Sequence, residues 1–161
     1  MVLLPPYKDK IIKEYLDAET QTQIAGFDLT AKELMLLDDG GVVDFDNSNR
    51  VIPDHTILPL HEDKWILEPG GYLVRYNEVV NVPLDAIGIV LPRSTLMRIG
   101  ATLCSAVWDP GYNGRGIGLL IVNAKITLYK GARIAQIIFI KTQKKLEEGY
   151  TGTYQNENVQ E

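Results

Sequence analysis

The sequence predicts a mainly β protein, a distorted β-barrel or jelly roll with a short N-terminal helix. Short segments rich in β-branched and aromatic side chains recur from residue 26 onward, and turn residues separate them. Many short strands at this spacing are typical of sandwiches, jelly rolls and barrels. The sequence contains no strand followed by a glycine loop and a helix, so neither a Rossmann nor a P-loop site is expected.

The predicted elements begin with a helix over residues 8–18, where Ile11, Ile12, Tyr15 and Leu16 recur at helical spacing. The predicted strands follow at residues 42–45, 65–67, 72–76, 86–91, 117–122 and 134–140. Turn signals rich in Asp, Asn, Gly and Pro lie at residues 38–41, 46–49 and 68–71.

Composition indicates one globular domain, since the 161 residues are 45% hydrophobic and 23% charged. The apolar runs are all shorter than the roughly 18 to 20 residues that span a bilayer, so no membrane association is expected. The N-terminus is broken by Pro5 and Pro6 too early for a signal peptide, which predicts a cytoplasmic protein. The single cysteine, Cys104, excludes an internal disulfide and is expected to be a packed thiol.

Charge narrows the class of ligand. The net charge is −5 and no basic stripe is present, which argues against nucleic-acid binding as the main function. A few arginines can still form a local positive pocket on an acidic protein, so a highly charged small molecule remains a candidate ligand.

Residues 92–98 form the first segment that suggests chemistry, because two arginines and two hydroxyls directly follow an apolar strand. If a helix begins at Ser94, its hydroxyl can cap the helix and free backbone N–H groups point the same way. Arg93 and Arg98 would then complete an anion site. The alternative is an ordinary capped turn with solvated arginines.

The second such segment, residues 106–114, places Asp109 between an apolar strand and the turn Pro110-Gly111. An Asp-Pro-Gly turn is common on its own and need not be functional. The hairpin that follows, residues 116–123, is apolar and glycine-rich, so its backbone can approach a ligand closely.

Five segments together resemble the dUTPase and dCTP-deaminase superfamily, and most closely its archaeal-type, deaminase-like dUTPases. They occur in the family order at residues 23–29, 92–98, 108–114, 133–139 and 150–155. The resemblance implies dUTP as substrate, hydrolysis to dUMP and pyrophosphate, and a homotrimer with sites between subunits. It also implies a Mg²⁺ ion carried by the triphosphate rather than by protein ligands, and a single domain over residues 1–149 with a C-terminal arm, residues 150–161, that closes over the nucleotide.

The resemblance assigns roles to residues of this sequence. Phosphates are expected at Arg93, Ser94 and Arg98, and the 3′-hydroxyl and attacking water at Asp109. Tyr112 is expected under the deoxyribose, where its ring would exclude a 2′-hydroxyl, and the hairpin backbone over residues 116–120 is expected to read uracil. Further nucleotide contacts are expected from Gln136, Tyr150 and Gln155.

The position after the Asp-Pro-Gly turn discriminates between the two chemistries of the superfamily. Similar deaminases carry a glutamate there that moves protons during attack on cytosine. Counting back from Asn123 gives Leu120, and counting forward from Asp109 gives Leu119. Neither side chain carries a proton, which favours hydrolysis. A dCTP deaminase or bifunctional enzyme, and a non-catalytic deoxynucleotide-binding relative, remain the alternatives.

Three other polar residues are interpreted as solvated or structural, and the role of a fourth, Arg115, is left open. His55 and His61 lack a third ligand at suitable spacing for a metal site. Asp28 is expected to be buried and to order backbone or an arginine. Arg115 is near enough to the nucleoside turn to reach phosphate, although a surface role is equally compatible with the sequence.

Overall fold

The computed structural model describes residues 1–7 and 10–160, which form fourteen β-strands and two short helices. The first seven strands are β1 (Val2–Leu3), β2 (Ile12–Lys13), β3 (Phe27–Leu37), β4 (His55–Ile57), β5 (Lys64–Leu67), β6 (Gly70–Tyr76) and β7 (Val79–Asn81). The others are β8 (Ala86–Pro92), β9 (Ala101–Cys104), β10 (Val107–Trp108), β11 (Asn113–Gly114), β12 (Ile117–Val122), β13 (Ile126–Tyr129) and β14 (Arg133–Lys141). The helices are α1 (Ala18–Gln21) and α2 (Ser94–Arg98). The predicted mainly β fold class is confirmed.

One large antiparallel sheet organises the molecule. Its main path runs β10-β8-β14-β3-β6-β12-β9, with β1 added to β14 and β4 added to β3. Two smaller sheets have the strand orders β11-β7-β2 and β13-β5. The nine-residue strand β14 lies between β8 and β3, so the segments around residues 28, 92 and 136 become neighbours. Neither described helix is long and apolar enough to cross a membrane.

Burial alternates along strands β8 and β12 of the large sheet, whereas residues 27–31 of the central strand β3 are all buried. In β12, Gly118, Leu120 and Val122 are buried, whereas the residues between them are partly exposed. The largest fully buried side chains are Tyr76, Phe27, Phe139, Ile12, Leu29 and Leu34. Burying one such apolar side chain stabilises the fold by about 1.5–3 kcal/mol.

The predicted helix over residues 8–18 is wrong, because none of the described residues 10–17 is helical and the short helix α1 begins only at Ala18. Residues 8 and 9 lie outside the described chain, and Ile12 belongs to strand β2, where it pairs with Val80 and is fully buried. Strand pairing therefore overrides the helical spacing of the apolar residues. Asp17 caps α1, because its Oδ2 accepts a hydrogen bond from the Thr20 N–H at 2.8 Å.

Two further predictions are corrected. Residues 42–45 form no strand: Val42 makes one isolated bridge to Val51, and the Phe45 side chain is fully exposed. High β-propensity has no effect there because no neighbouring sheet covers the side chains. Cys104 is exposed rather than packed, since the alternation of β9 turns Leu103 into the core and Cys104 outward.

Candidate functional site

The turn that carries Asp109 is held rigidly by backbone hydrogen bonds. The Tyr112 N–H donates to the Asp109 carbonyl at 3.0 Å, and the Gly111 N–H donates to the Val82 carbonyl at 2.9 Å. The Val82 N–H in turn donates to the Tyr112 carbonyl at 2.8 Å. Gly111 has φ of +81°, a conformation that side chains rarely adopt. Asp109 itself is exposed, so its carboxylate is free to meet a ligand or water.

An aromatic cavity of about 430 Å³ lies beside this turn. The ring centroids of Trp108 and Tyr112 are 5.2 Å apart, and those of Tyr112 and Tyr150 are 5.9 Å apart, both edge to face. Asp109 and Ile117 also line the cavity. Its size and its apolar walls with a few polar groups are typical of a small-molecule site.

The C-terminal arm is docked on the same turn. The Gln155 Oε1 accepts a hydrogen bond from the Asn113 N–H at 2.8 Å, and its Nε2 donates to the Gly111 carbonyl at 2.9 Å. The Tyr112 hydroxyl donates to the Glu157 carboxylate at 2.7 Å. Burial raises the pKa of Glu157, and the bond from Tyr112 opposes that rise. Gln155 and Glu157 therefore lie against the residues expected to hold the nucleoside.

Arg115 is also part of the arm contact. It is almost fully buried, its Nε donates to the Asn158 carbonyl at 3.1 Å, and its guanidinium pairs with Glu14. The surface role considered for this residue is therefore wrong, because the arm covers it.

The second cluster of predicted site residues surrounds helix α2. Ser94 is the first helical residue rather than the cap, and Arg93 occupies the cap position without a side-chain hydrogen bond to the helix. The expected capping by the Ser94 hydroxyl is therefore wrong. The Arg98 side chain is exposed, and its Nη1 donates to the Ser94 carbonyl at 3.0 Å.

Asp28 lies at the centre of this cluster. Its buried carboxylate pairs with Arg93 at 3.1 Å and with Arg133 at 3.2 Å, and it accepts a hydrogen bond from Gln136 at 3.3 Å. Burial raises the pKa of Asp28, and the charge of Arg93 is the strongest opposing effect. The expectation that Asp28 is buried and orders an arginine is confirmed.

The two clusters occupy opposite ends of strand β8. Trp108 pairs with Gly88, so Asp109 lies near the level of Ile87, whereas Arg93 directly follows Pro92. Six residues of strand separate those levels, a distance of about 20 Å. Within the described chain, the walls of the aromatic cavity include neither Arg93 nor Arg98.

Comparison with known proteins identifies the family. Residues 7–142 match the family model described as dCTP deaminase-like.

The chain belongs to the dCTP deaminase-like family.

Several archaeal relatives of this dCTP deaminase-like chain are named for dUTP hydrolysis. The probable deoxyuridine 5′-triphosphate nucleotidohydrolase of Methanosarcina acetivorans is 47% identical over 152 residues, covering 92% of this chain and 89% of the relative. The relative from Archaeoglobus fulgidus is 41% identical over 155 residues, covering 94% and 90%. The deoxyuridine 5′-triphosphate nucleotidohydrolase of Methanocaldococcus jannaschii is 41% identical over 138 residues, covering 84% and 88%.

Solved structures share the fold at lower identity. The 2′-deoxycytidine 5′-triphosphate deaminase of Agrobacterium tumefaciens aligns with a TM-score of 0.61 at 22% identity, covering 88% of this chain and 46% of that one. The native EIAV dUTPase aligns with a TM-score of 0.51 at 17% identity, covering 89% and 93%. At these identities, the likeness supports the jelly-roll fold alone.

Two leucines of strand β12 were considered for the position at which similar deaminases carry a glutamate. They lie on opposite faces of the strand. Leu120 is fully buried in the core, whereas Leu119 lies on the opposite face of the strand with Ile117, which lines the cavity. Of the two positions, Leu119 is the one on the same face of β12 as the cavity-lining residue Ile117. Alternation around Leu120 would have revealed this from the sequence.

Sequence reasoning assigned no side-chain role to several cavity-lining residues, among them Trp108, Ile117 and Glu157. Trp108 precedes Asp109 directly, so its adjacency was a usable signal. Ile117 shares the strand face of Leu119 and could be found by alternation. Glu157 comes to the cavity on the arm, and no local pattern in the polar tail distinguishes it from its neighbours.

Proposed function

We propose that this protein hydrolyses dUTP to dUMP and pyrophosphate. The proposal is carried by one observation, an exposed aspartate at the edge of a rigid aromatic cavity, on a chain whose archaeal relatives are named dUTP nucleotidohydrolases. Asp109 supplies the carboxylate, and the Trp108 and Tyr112 rings supply the apolar wall that a deoxyribose requires.

In the proposed reaction, Asp109 orients a water and accepts its proton as the oxygen attacks the α-phosphorus. The bond from the α-phosphorus to the bridging oxygen breaks, and pyrophosphate leaves. Arg93 and Arg98 neutralise charge on the phosphates, and Ser94 donates a hydrogen bond to them. Tyr112 packs against the deoxyribose, where a 2′-hydroxyl would collide with its ring.

Mg²⁺ is assigned to the substrate in this proposal. The residues proposed to bind the phosphates offer guanidinium donors. The carboxylate among them, Asp28, already pairs with two arginines. That donor set fits a triphosphate that brings its own cation better than a protein-bound ion. When bound, Mg²⁺ would neutralise phosphate charge and favour departure of pyrophosphate.

Each site is proposed to combine two subunits of a homotrimer. The roughly 20 Å between the levels of Asp109 and Arg93 is too long for both side chains of one chain to meet at one phosphorus. Apolar side chains also lie exposed near these ends of β8, as expected for a contact with a second copy. They are Leu91, Met97, Ile99 and Val107.

Leu119 favours hydrolysis over deamination. An apolar side chain on the cavity face gives cytosine no proton shuttle, and backbone groups that pair with uracil would oppose the exocyclic amine of cytosine. Each unpaired buried group costs roughly 1–3 kcal/mol, which predicts at least about tenfold preference for dUTP over dCTP.

A cytoplasmic location remains a prediction of the sequence.

The test is to incubate the purified protein separately with dUTP and dCTP in the presence of Mg²⁺. We expect dUMP and pyrophosphate from dUTP and no ammonia from dCTP. Ammonia release would identify a deaminase or a bifunctional enzyme. Binding of dUTP without pyrophosphate release would identify a non-catalytic nucleotide-binding protein.

A further inference from the structure

Asp28 is a buried carboxylate that the proposed reaction does not use. It has no exposed surface, yet three side chains from two other segments converge on it. Its Oδ2 lies 3.1 Å from Arg93 Nε and 3.2 Å from Arg133 Nη1, and its Oδ1 accepts a hydrogen bond from Gln136 Nε2 at 3.3 Å. Two of these partners, Arg93 and Gln136, are proposed to contact the nucleotide.

Strand register explains why one carboxylate reaches all three partners. Asp28 on β3 pairs with Gln136 on β14, and Gln136 pairs on its other side with Leu91 on β8. Arg93 follows two residues after Leu91. Arg133 reaches the carboxylate from the start of β14, where the register with β3 shifts.

The backbone of Asp28 is fixed from the core side. Gln21 Nε2 donates to the Asp28 carbonyl at 2.8 Å and to the Glu78 carboxylate at 2.7 Å. Glu78 also accepts the Thr30 N–H at 2.9 Å, so residues 28 and 30 are held by one buried network. A carboxylate held this way can fix the direction of a guanidinium that it binds.

Arg133 changes the charge of the cluster. A carboxylate with Arg93 alone would form a neutral pair that attracts a phosphate weakly. With Arg133 sharing the same oxygen, one negative charge faces two positive charges, so the cluster keeps a net charge of about +1. The side chains of Arg93 and Arg133 retain 28% and 33% exposure, so their outer edges remain accessible to an anion.

We infer that Asp28 is a positioning residue that directs Arg93 and Gln136 toward the phosphates, and that Arg133 keeps this cluster positively charged. The inference rests on the proposed assignment of phosphates to Arg93. It gives Arg133 a role in anion affinity that is separate from contact with the base or the sugar.

The test compares Arg133→Gln, Arg133→Lys and the control Lys130→Gln. Lys130 is exposed in the turn just before β14. Its replacement by Gln removes the same charge as Arg133→Gln without changing a contact of Asp28. Calorimetry would measure the affinity of the full-length protein for inorganic pyrophosphate and for deoxyuridine, and KM would be measured for dUTP. We expect Arg133→Gln to weaken pyrophosphate binding about five- to tenfold and to raise KM similarly.

Affinity for deoxyuridine should stay within about twofold in every variant, since that ligand carries no charge. Arg133→Lys should recover most of the pyrophosphate affinity, and Lys130→Gln should match the unmodified protein. Equal pyrophosphate affinity in the unmodified protein and Arg133→Gln would overturn the inference, as would equal losses for pyrophosphate and deoxyuridine.

A second variant separates position from charge. Asp28→Asn raises the net charge of the cluster but removes the anchor of Arg93, so positioning predicts weaker pyrophosphate binding and charge alone predicts tighter binding. Tighter binding in Asp28→Asn would overturn the positioning role. Because pyrophosphate binding needs no turnover, failure of dUTP cleavage would refute the proposed function and leave this inference standing.

Discussion

At the scale of single residues, Asp109 and Asp28 are two aspartates that differ in burial and in the partners of their carboxylates. Asp28 is fully buried and paired with two arginines, so its charge is already engaged. Asp109 is exposed at the edge of the aromatic cavity on a turn fixed by Val82. Of the two, Asp109 is therefore the carboxylate that is open to solvent and lines the cavity.

Replacement of Asp109 by Asn tests whether the Asp109 carboxylate acts in the proposed hydrolysis. The amide is almost the same size, so the turn should fold normally and dUMP should bind with nearly unchanged affinity. It cannot accept a proton from water, so kcat for dUTP should fall at least about 100-fold, the usual scale for a positioned base. A kcat near that of the unmodified protein would remove Asp109 from the mechanism.

Glu78 is a third buried acid, with a consequence for pH dependence. Its carboxylate is fully buried and accepts hydrogen bonds from Gln21 and Thr30, which are neutral. Burial raises the pKa of Glu78 above its ordinary value. The folded state therefore holds a proton that the unfolded state has already lost, and stability falls as pH rises from the unfolded to the folded pKa.

Glu78→Gln should remove this contribution, because an amide does not titrate. Urea unfolding of both proteins would be measured from pH 4.5 upward. We expect the difference in unfolding free energy, unmodified minus variant, to decrease as pH rises through this window and then to level off. A difference that is constant across the window, or increases with pH, would contradict the raised pKa.

At the scale of elements, the sequence predicts what depends on neighbours along the chain and fails where distant strands decide. Strand β12 and most of β8 and β14 were predicted, because their β-branched runs are long and bounded by turns. Ile12 has helical spacing yet pairs with Val80 as a strand. The eleven-residue strand β3 was missed because β14 and β6 flank it on both sides, and its burial does not alternate.

The C-terminal arm is the element whose role can be tested most simply. Gln155 makes two hydrogen bonds to the backbone of the Asp109 turn. Gln155→Ala removes both, so we expect kcat/KM for dUTP to fall about tenfold, as for other closing segments that exclude water. Gln160→Ala is the matched control, since Gln160 is exposed on the same arm. Equal kcat/KM in both variants would exclude closure through Gln155.

At the scale of the whole molecule, the motifs along the sequence predict which residues belong to the site. They do not predict how those residues are divided between chains. The resemblance places Arg93, Asp109 and Tyr112 in one site, whereas the register of β10 against β8 sets Asp109 and Arg93 about 20 Å apart in one chain. Sequence order carries no information on that distance, because it arises from the antiparallel pairing. A closed ring of identical chains can bring the ends of two strands together.

Subunit mixing tests whether the two halves come from different chains. Asp109→Asn and Arg98→Gln are each expected to be inactive, and the two chains would be coexpressed with different affinity tags and purified through both. If each site takes Asp109 from one chain and Arg98 from its neighbour, every trimer that carries both tags has one restored site, about one third of its sites. Coexpression of Asp109→Asn with Asp109→Ala should restore no active site, because every chain then lacks the Asp109 carboxylate. If the Asp109→Asn and Arg98→Gln mixture is as inactive as its parents, each site lies within one chain, and the shared-site proposal is wrong.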